Sequence, residues 1–173
     1  MSEQSPSLEE DFATAYDLYA DAIFRHCYFR VNDREKAVDL MQETFMKTWE
    51  YLASGKKVTN LRAFLYRSAN NLIVDQARRA KLRQEDSLED MREAGFDIAG
   101  EDGRDMGTAL DGRHVVSVMS QVEEPYRSAL LLRYVDELPP KEIAEILGEP
   151  VNVVSVRINR GVKKLRSLLP QYG

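Results

Sequence analysis

The chain is poor in the residues that build covalent, metal and redox chemistry. A single cysteine, Cys27, among 173 residues excludes an internal disulfide and any multi-cysteine zinc site within one chain. It reads as a small buried hydrophobe. The two histidines, His26 and His114, lie far apart without H-E-x-x-H or any other ligand spacing, and read as surface or core-edge residues. The glycines of 95–112 match neither G-x-G-x-x-G nor G-x-x-x-x-G-K-[ST], so no phosphate loop is expected. No catalytic residue, metal site or cofactor is predicted, and the case for an enzyme is weak. Long apolar runs are missing as well. The longest is Ala129-Leu130-Leu131-Leu132, far short of the roughly 20 residues of a membrane helix. Met1 to Asp11 is acidic and polar, unlike a secretory signal, so the expected compartment is the cytoplasm.

What is present is a soluble, globular composition, 43% hydrophobic and 31% charged, long enough for one medium domain or two small ones. The net charge of −5 argues at first against nucleic acid. It hides a segregation. Residues 1–60 carry 7 basic and 11 acidic side chains, 61–84 carry 6 and 1, 85–111 carry 2 and 10, and 112–173 carry 9 and 7. A balance that changes sign by segment points to separate partners for separate segments.

Five of the nine glycines fall within 95–112, among Glu101, Asp102 and Asp105 and without apolar periodicity. A flexible acidic linker over 85–111 is therefore expected, between folded parts at 8–84 and 112–171. Every structured segment has helical periodicity and none alternates like a strand, so the expected fold is all-α, two small helical domains. Phe12, Tyr16, Tyr19, Ile23 and Cys27 form the first stripe. Asn32 and Glu35 read as a capping box opening a helix to about Leu52, with Ala37, Leu40, Met41, Phe45, Thr48 and Leu52 inward. A third helix spans Leu61 to about Leu82, with Leu61, Phe64, Leu65, Ala69, Leu72 and Gln76 on one face and an Asp75–Arg79 pair. Beyond the linker, Val115 to Val122 make a short helix, and Pro125 fits the first position of the next. Pro140 opens another that Gly148 closes, and a last helix runs from about Val153 to Leu169.

Three helix faces stand out. The last two helices have helix-turn-helix proportions. On the final one Val154, Ile158, Gly161, Val162, Leu165 and Leu169 share an arc of about 100°. Ser155, Val156, Asn159, Arg160, Lys163 and Arg166 lie opposite, with Arg157 and Lys164 at the edge. No carboxylate occurs between Asn152 and Gly173, which suits a major-groove reader over a merely solvated basic helix. The helix from Leu61 presents Arg62, Tyr66, Arg67, Asn70, Asn71, Arg78, Arg79, Lys81 and Arg83 outward. Rings stack on bases and cations track phosphates, so this mixture suits single-stranded DNA. Asp39, Gln42, Glu43, Met46 and Glu50 instead make an acidic outward face, repelled by DNA and fitted to a basic protein or to solvent.

At these residues the chain resembles the extracytoplasmic-function sigma factors of bacterial RNA polymerase, in the sigma-70 family. Ala37-Val-Asp-Leu-Met-Gln-Glu-Thr-Phe-Met-Lys-Thr-Trp49 resembles region 2.2. Phe64-Leu-Tyr-Arg-Ser-Ala-Asn-Asn-Leu-Ile-Val-Asp-Gln-Ala-Arg-Arg79 is similar to regions 2.3 and 2.4. Glu124 to Val135 resembles region 4.1; Lys141 to Gly148 and Val156 to Arg166 resemble region 4.2. The likeness spans about residues 10–169, in the family's order. It implies a non-catalytic subunit that binds core polymerase and recognises two promoter elements. Asp39, Gln42, Glu43 and Met46 would grip the clamp helices of core polymerase. Lys56, Lys57, Asn60, Arg62, Tyr66, Asn70, Asn71, Arg78 and Arg79 would hold the single-stranded −10 element, receiving a flipped base. Ser155, Val156, Arg157, Asn159, Arg160, Lys163 and Lys164 would read the duplex −35 element. The linker's acids would mimic the charge of nascent RNA, and an anti-sigma factor is a further partner left open. Three positions depart from the pattern. Pro139 replaces a capping Ser or Thr, at roughly 1 kcal/mol. Gly161 stands where alanine is usual, at about 1 kcal/mol in a helix interior. Val156 replaces a small polar residue. The rival readings are a stand-alone helix-turn-helix repressor or activator, and a polymerase-binding adaptor without DNA contacts.

Overall fold

Ser7 starts the first helix with a full capping box, its hydroxyl accepting from the Glu10 N–H at 3.2 Å while the Glu10 carboxylate accepts from the Ser7 N–H at 3.1 Å. The structure, a computed structural model, describes residues 7–94 and 117–169, with the backbone alone over 86–94. Helix α1 (Leu8–Val31) ends at Asn32, which adopts the left-handed conformation (φ 52°) that asparagine tolerates. The expected Asn32–Glu35 box is therefore not formed. Asp33 caps α2 (Arg34–Ala53) instead, accepting from the Lys36 N–H at 3.2 Å. Asn32 is spent on closing one helix, and its neighbour opens the next.

Helix α3 (Leu61–Ala94) begins at Asn60, whose side-chain oxygen accepts from the Ala63 N–H at 3.1 Å. It runs twelve residues past the expected end at Leu82, into the stretch read as linker; the rest of that stretch, 95–111, lies outside the described residues. The Asp75–Arg79 pair forms at 2.9 Å. Helices α1, α2 and α3 pack as a three-helix unit around Ile23, Cys27, Leu40, Phe45, Leu65, Ala69 and Leu72. Burial pushes the Cys27 thiol up to about 12, so it stays protonated, as its reading as a buried hydrophobe expected.

A helical turn at 117–121 precedes α4 (Tyr126–Leu130), which widens into a π-helical turn over Leu131–Val135. Then come α5 (Pro140–Leu147) and α6 (Val151–Leu168). Gly148 closes α5 at φ 67°, a conformation that favours glycine. Pro139 gives α5 no side-chain cap, but its carbonyl accepts from the Glu142 and Ile143 N–H groups at 3.0 and 3.1 Å. Among the described residues there is no strand, and no helix is long and apolar enough to cross a membrane.

The two halves are not separate in this structure. Ala129, Leu132, Leu138, Ile143, Ala144 and Ile146 continue the apolar cluster of α1–α3, and α5 packs on α3. Phe29 of α1 reaches the smaller cluster of Met119, Val122, Leu130 and Leu131.

Candidate nucleic-acid interface

Alternation of buried and exposed positions along α2 leaves Asp39, Gln42, Glu43, Met46 and Glu50 all exposed, opposite the core-facing Leu40, Met41, Thr44, Phe45 and Thr48. Met46, a large apolar side chain, is 62% exposed in the middle of this acidic surface. An uncovered apolar centre with a charged rim is the anatomy of a protein–protein contact.

The α2–α3 loop carries Lys56 and Lys57, both exposed, with the Lys56 ammonium 5.0 Å from the centre of the Tyr51 ring. A shallow hollow of about 170 Å³ lies between this loop and α3, lined by Tyr51, Lys57, Thr59, Asn60, Phe64 and Arg67. Glu145 of α5 sits at the same hollow. Asn71 and Arg78 border a second hollow of about 450 Å³ farther along α3. Arg79 is exposed and held by Asp75.

The first two turns of α3 are different. Tyr66, expected outward, is 2% exposed. The C-terminal half covers it: its hydroxyl donates to Asp136 at 3.2 Å, and the other oxygen of that carboxylate meets His26 Nδ1 at 3.1 Å. His26 and Asp136 side chains are both 0% exposed, and the imidazole meets the Tyr66 ring edge-on. His26 was expected at a surface or core edge; residue 136, more than a hundred positions away, supplies its partner. Burial first, then the charge and hydrogen bond of Asp136, raise the Tyr66 phenol well above its usual value. The geometry of the π turn places Asp136 there: its N–H bonds to the Leu131 carbonyl at 3.0 Å, and Glu137 then turns left-handed (φ 56°).

Two more links cross the halves. Arg62 grips Glu142 of α5 in a bidentate pair, its Nε donating to one carboxylate oxygen at 2.8 Å and its Nη2 to the other. That bond raises the Arg62 guanidinium further above its usual range. Arg30, buried, donates to Asn70 at 2.8 Å and pairs with Glu124 at 3.3 Å. So Arg62, Tyr66 and Asn70 are all engaged inside the chain. Asn60 has its side chain occupied as the α3 cap.

On α6 the outward arc is open. Val156, Asn159, Arg160 and Lys163 are exposed and Ser155 half-buried. The flanking cations are tied down: Arg157 pairs with Glu149 at 3.0 Å, and Lys164 with Glu123 at 2.9 Å while lying over the Tyr126 ring. The inner face seats on α4 at Gly161, where an added Cβ would lie 2.9 Å from Leu130 Cγ. The glycine that costs helix propensity is the one residue small enough for that approach. Among the described residues no group of three or more His, Cys, Asp or Glu could hold a metal ion.

A three-helix unit with an acidic α2 face, followed by a helix-turn-helix, is the arrangement that matches the sigma-70 family. Residues 15–83 match the family described as Sigma-70 region 2, and residues 114–165 match Sigma-70, region 4. The ECF RNA polymerase sigma factor SigW of Bacillus subtilis is 32% identical over 93% of this chain and 90% of its own length. SigL of Mycobacterium tuberculosis is 25% identical over 91% of this chain and 88% of its own. Among solved structures, the sigma factor RpoE of Bartonella quintana, in complex with the anti-sigma factor NepR, aligns with a TM-score of 0.75 at 24% identity, covering 92% of this chain and 97% of that one. CnrH, in complex with the cytosolic domain of CnrY, aligns with a TM-score of 0.71 at 21% identity, covering 95% and 91%. The chain belongs to the extracytoplasmic-function sigma factors of the sigma-70 family. It is a specificity subunit: it binds core RNA polymerase and directs initiation at promoters with −10 and −35 elements.

Proposed function

We propose that three faces divide the work of this sigma factor, and that the arrangement described here is a closed form that must open to complete it. The unit over 8–84 docks on the polymerase clamp helices through Asp39, Gln42, Glu43 and Met46. Lys56, Lys57, Asn71, Arg78 and Arg79 hold the single-stranded −10 element, joined by Asn60, Arg62, Tyr66 and Asn70 once they are released. The unit over 112–171 reads the −35 duplex through Ser155, Val156, Asn159, Arg160 and Lys163. Arg157 and Lys164 brace that helix and contact phosphate only if they leave Glu149 and Glu123. The stretch 85–111 connects the two. An anti-sigma protein is a further partner class, and the cytoplasm is the compartment where these partners meet.

The observation that carries this reading is the contrast in accessibility. The α2 and α6 faces stand open, whereas Arg62 and Tyr66 are held by Glu142 and Asp136. Polymerase can engage α2 without disturbing the closed form. Its binding energy, with that of DNA, then has to offset the apolar contact shared by the two halves.

The test is reconstitution with core polymerase. Asp39→Arg with Glu43→Arg inverts the charge of an exposed face and leaves the core intact. Co-purification with core enzyme and promoter-dependent transcription are expected to fall at least about a hundredfold, as when like charges are juxtaposed at an interface. Undiminished co-purification overturns the assignment of α2.

A further inference from the structure

Val156 is an anomaly on the open face of α6. It is 45% exposed among the polar Asn152, Ser155, Asn159, Arg160 and Lys163, with the half-buried Val153 as its one apolar neighbour along the helix. At 100° per residue it points within about 15° of the direction opposite to the buried Val154, Ile158 and Gly161. It therefore sits on the midline of the face, not at its edge. A helix face shaped only for solvent gains nothing from an aliphatic, β-branched residue there, because valine lowers helix propensity and offers no hydrogen bond.

The surroundings of Val156 form a seat. Pro125 and Tyr126, at the start of α4, and Val153 bound a mainly apolar hollow of about 220 Å³ beside it, closed by Asn152, Arg157 and Arg160. Arg157 is held to Glu149 and so stays at the wall. A valine cannot read purine N7, guanine O6 or an amino group. In the major groove the one apolar feature that distinguishes a base pair is the C5-methyl of thymine. The restricted χ1 of valine in a helix presents its methyls in a single arrangement.

We infer that Val156 is a specificity-determining residue that reads the C5-methyl of one thymine in the −35 duplex. Asn152 and Arg160, one turn to either side, reach base edges around it. The inference rests on the reading that α6 enters the major groove.

The test uses holoenzyme assembled from core polymerase and the full chain. A promoter is first selected from a library randomised over the −35 segment, and each thymine of that segment, on either strand, is then replaced singly by uracil, which removes only the methyl. One position is expected to lose about fourfold in promoter binding, the worth of one buried methyl. Val156→Ser is expected to abolish that loss and to flatten the library preference at that pair alone; Val156→Thr, which keeps a methyl, retains part of it. Helical circular dichroism checks that each variant folds. Uracil without effect at every position overturns the inference, as does an equal loss with Val156→Ser. A library that shows no −35 preference at all refutes the groove reading itself, a different result from preference without methyl dependence.

Discussion

Helix α3 over 61–84 and helix α6 are both basic and amide-bearing, yet one is partly covered and the other bare. The first turns of α3 lie beneath α5 and the π turn, with Tyr66 on Asp136 and Arg62 on Glu142. Among the described residues the outer arc of α6 makes no ion pair, because Glu149 and Glu123 hold the flanking Arg157 and Lys164. The difference teaches that charge composition marks a DNA-facing helix but does not say whether the face is available. On the proposed reading, a helix that reads intact duplex can stay exposed at little cost, whereas one that binds separated strands is needed only after polymerase has engaged and is sheltered until then.

The sharpest way to break this comparison is Asp136→Ala. It strips the partner from two buried groups, His26 Nδ1 and the Tyr66 hydroxyl, at about 1–3 kcal/mol for each. The Arg62–Glu142 pair, with Arg62 half in water, restrains the halves much less. The radius of gyration from X-ray scattering is expected to rise with helical content retained. Affinity of the free protein for a single-stranded −10 oligonucleotide is expected to rise at least about tenfold, the equivalent of roughly 1.4 kcal/mol. An unchanged radius and affinity mean that the clasp does not hold the closed form.

Gly161→Ala sharpens the other side. Helix propensity favours alanine by about 1 kcal/mol, but a Cβ at 2.9 Å from the fully buried Leu130 overpacks the α4–α6 contact by about 1–3 kcal/mol. A net loss of about 1 kcal/mol is expected in urea unfolding. Leu130→Ala in the same chain removes the clash, so a Gly161→Ala cost that persists in that background contradicts the packing account.

The smallest expected effect concerns Glu124, which links the halves through Arg30. Burial works against its charged form, yet Arg30, two bonds to Ser128 and Arg127 outweigh burial and hold the carboxyl below its ordinary 4.5. A depressed folded value means stability that is present above 4.5 and lost as pH falls through the folded value. Acid titration of the melting temperature is expected to show a larger drop in that window for the wild type than for Glu124→Gln. Parallel curves contradict the role given to Arg30.

Much of this was readable in one dimension. The acidic α2 face is exposed residue for residue as expected, because a periodicity of 3.6 assigns both faces of a helix that packs on one side only. The last helix was displaced by two residues at its start and one at its end, and its buried set of Val154, Ile158 and Gly161 agrees. The same logic failed at Tyr66, since a helix packed on two sides has a second buried face whose residues need not be aliphatic. Asn60 and Asn70 show the limit for polar residues: Asn70 was assigned to DNA from its type and Asn60 from the family resemblance, and each has its amide oxygen satisfied inside the chain. The nearest available signal was Asn60 itself, a strong capping residue one position before Leu61.

By itself, the sequence determined that this protein is helical, that its segments differ in charge, and which arcs of α2 and α6 face outward. These are local properties, decided by residues three and four positions apart. Only the tertiary structure decided that His26, Tyr66 and Asp136 form a buried clasp, that Arg62 meets Glu142, and that Gly161 rather than alanine fits against Leu130. Those contacts join residues 31 to 110 positions apart, and nothing in a periodic pattern encodes which distant carboxylate or leucine a helix face will meet. They depend on how the assembled elements exclude water, which is a property of the whole packed chain.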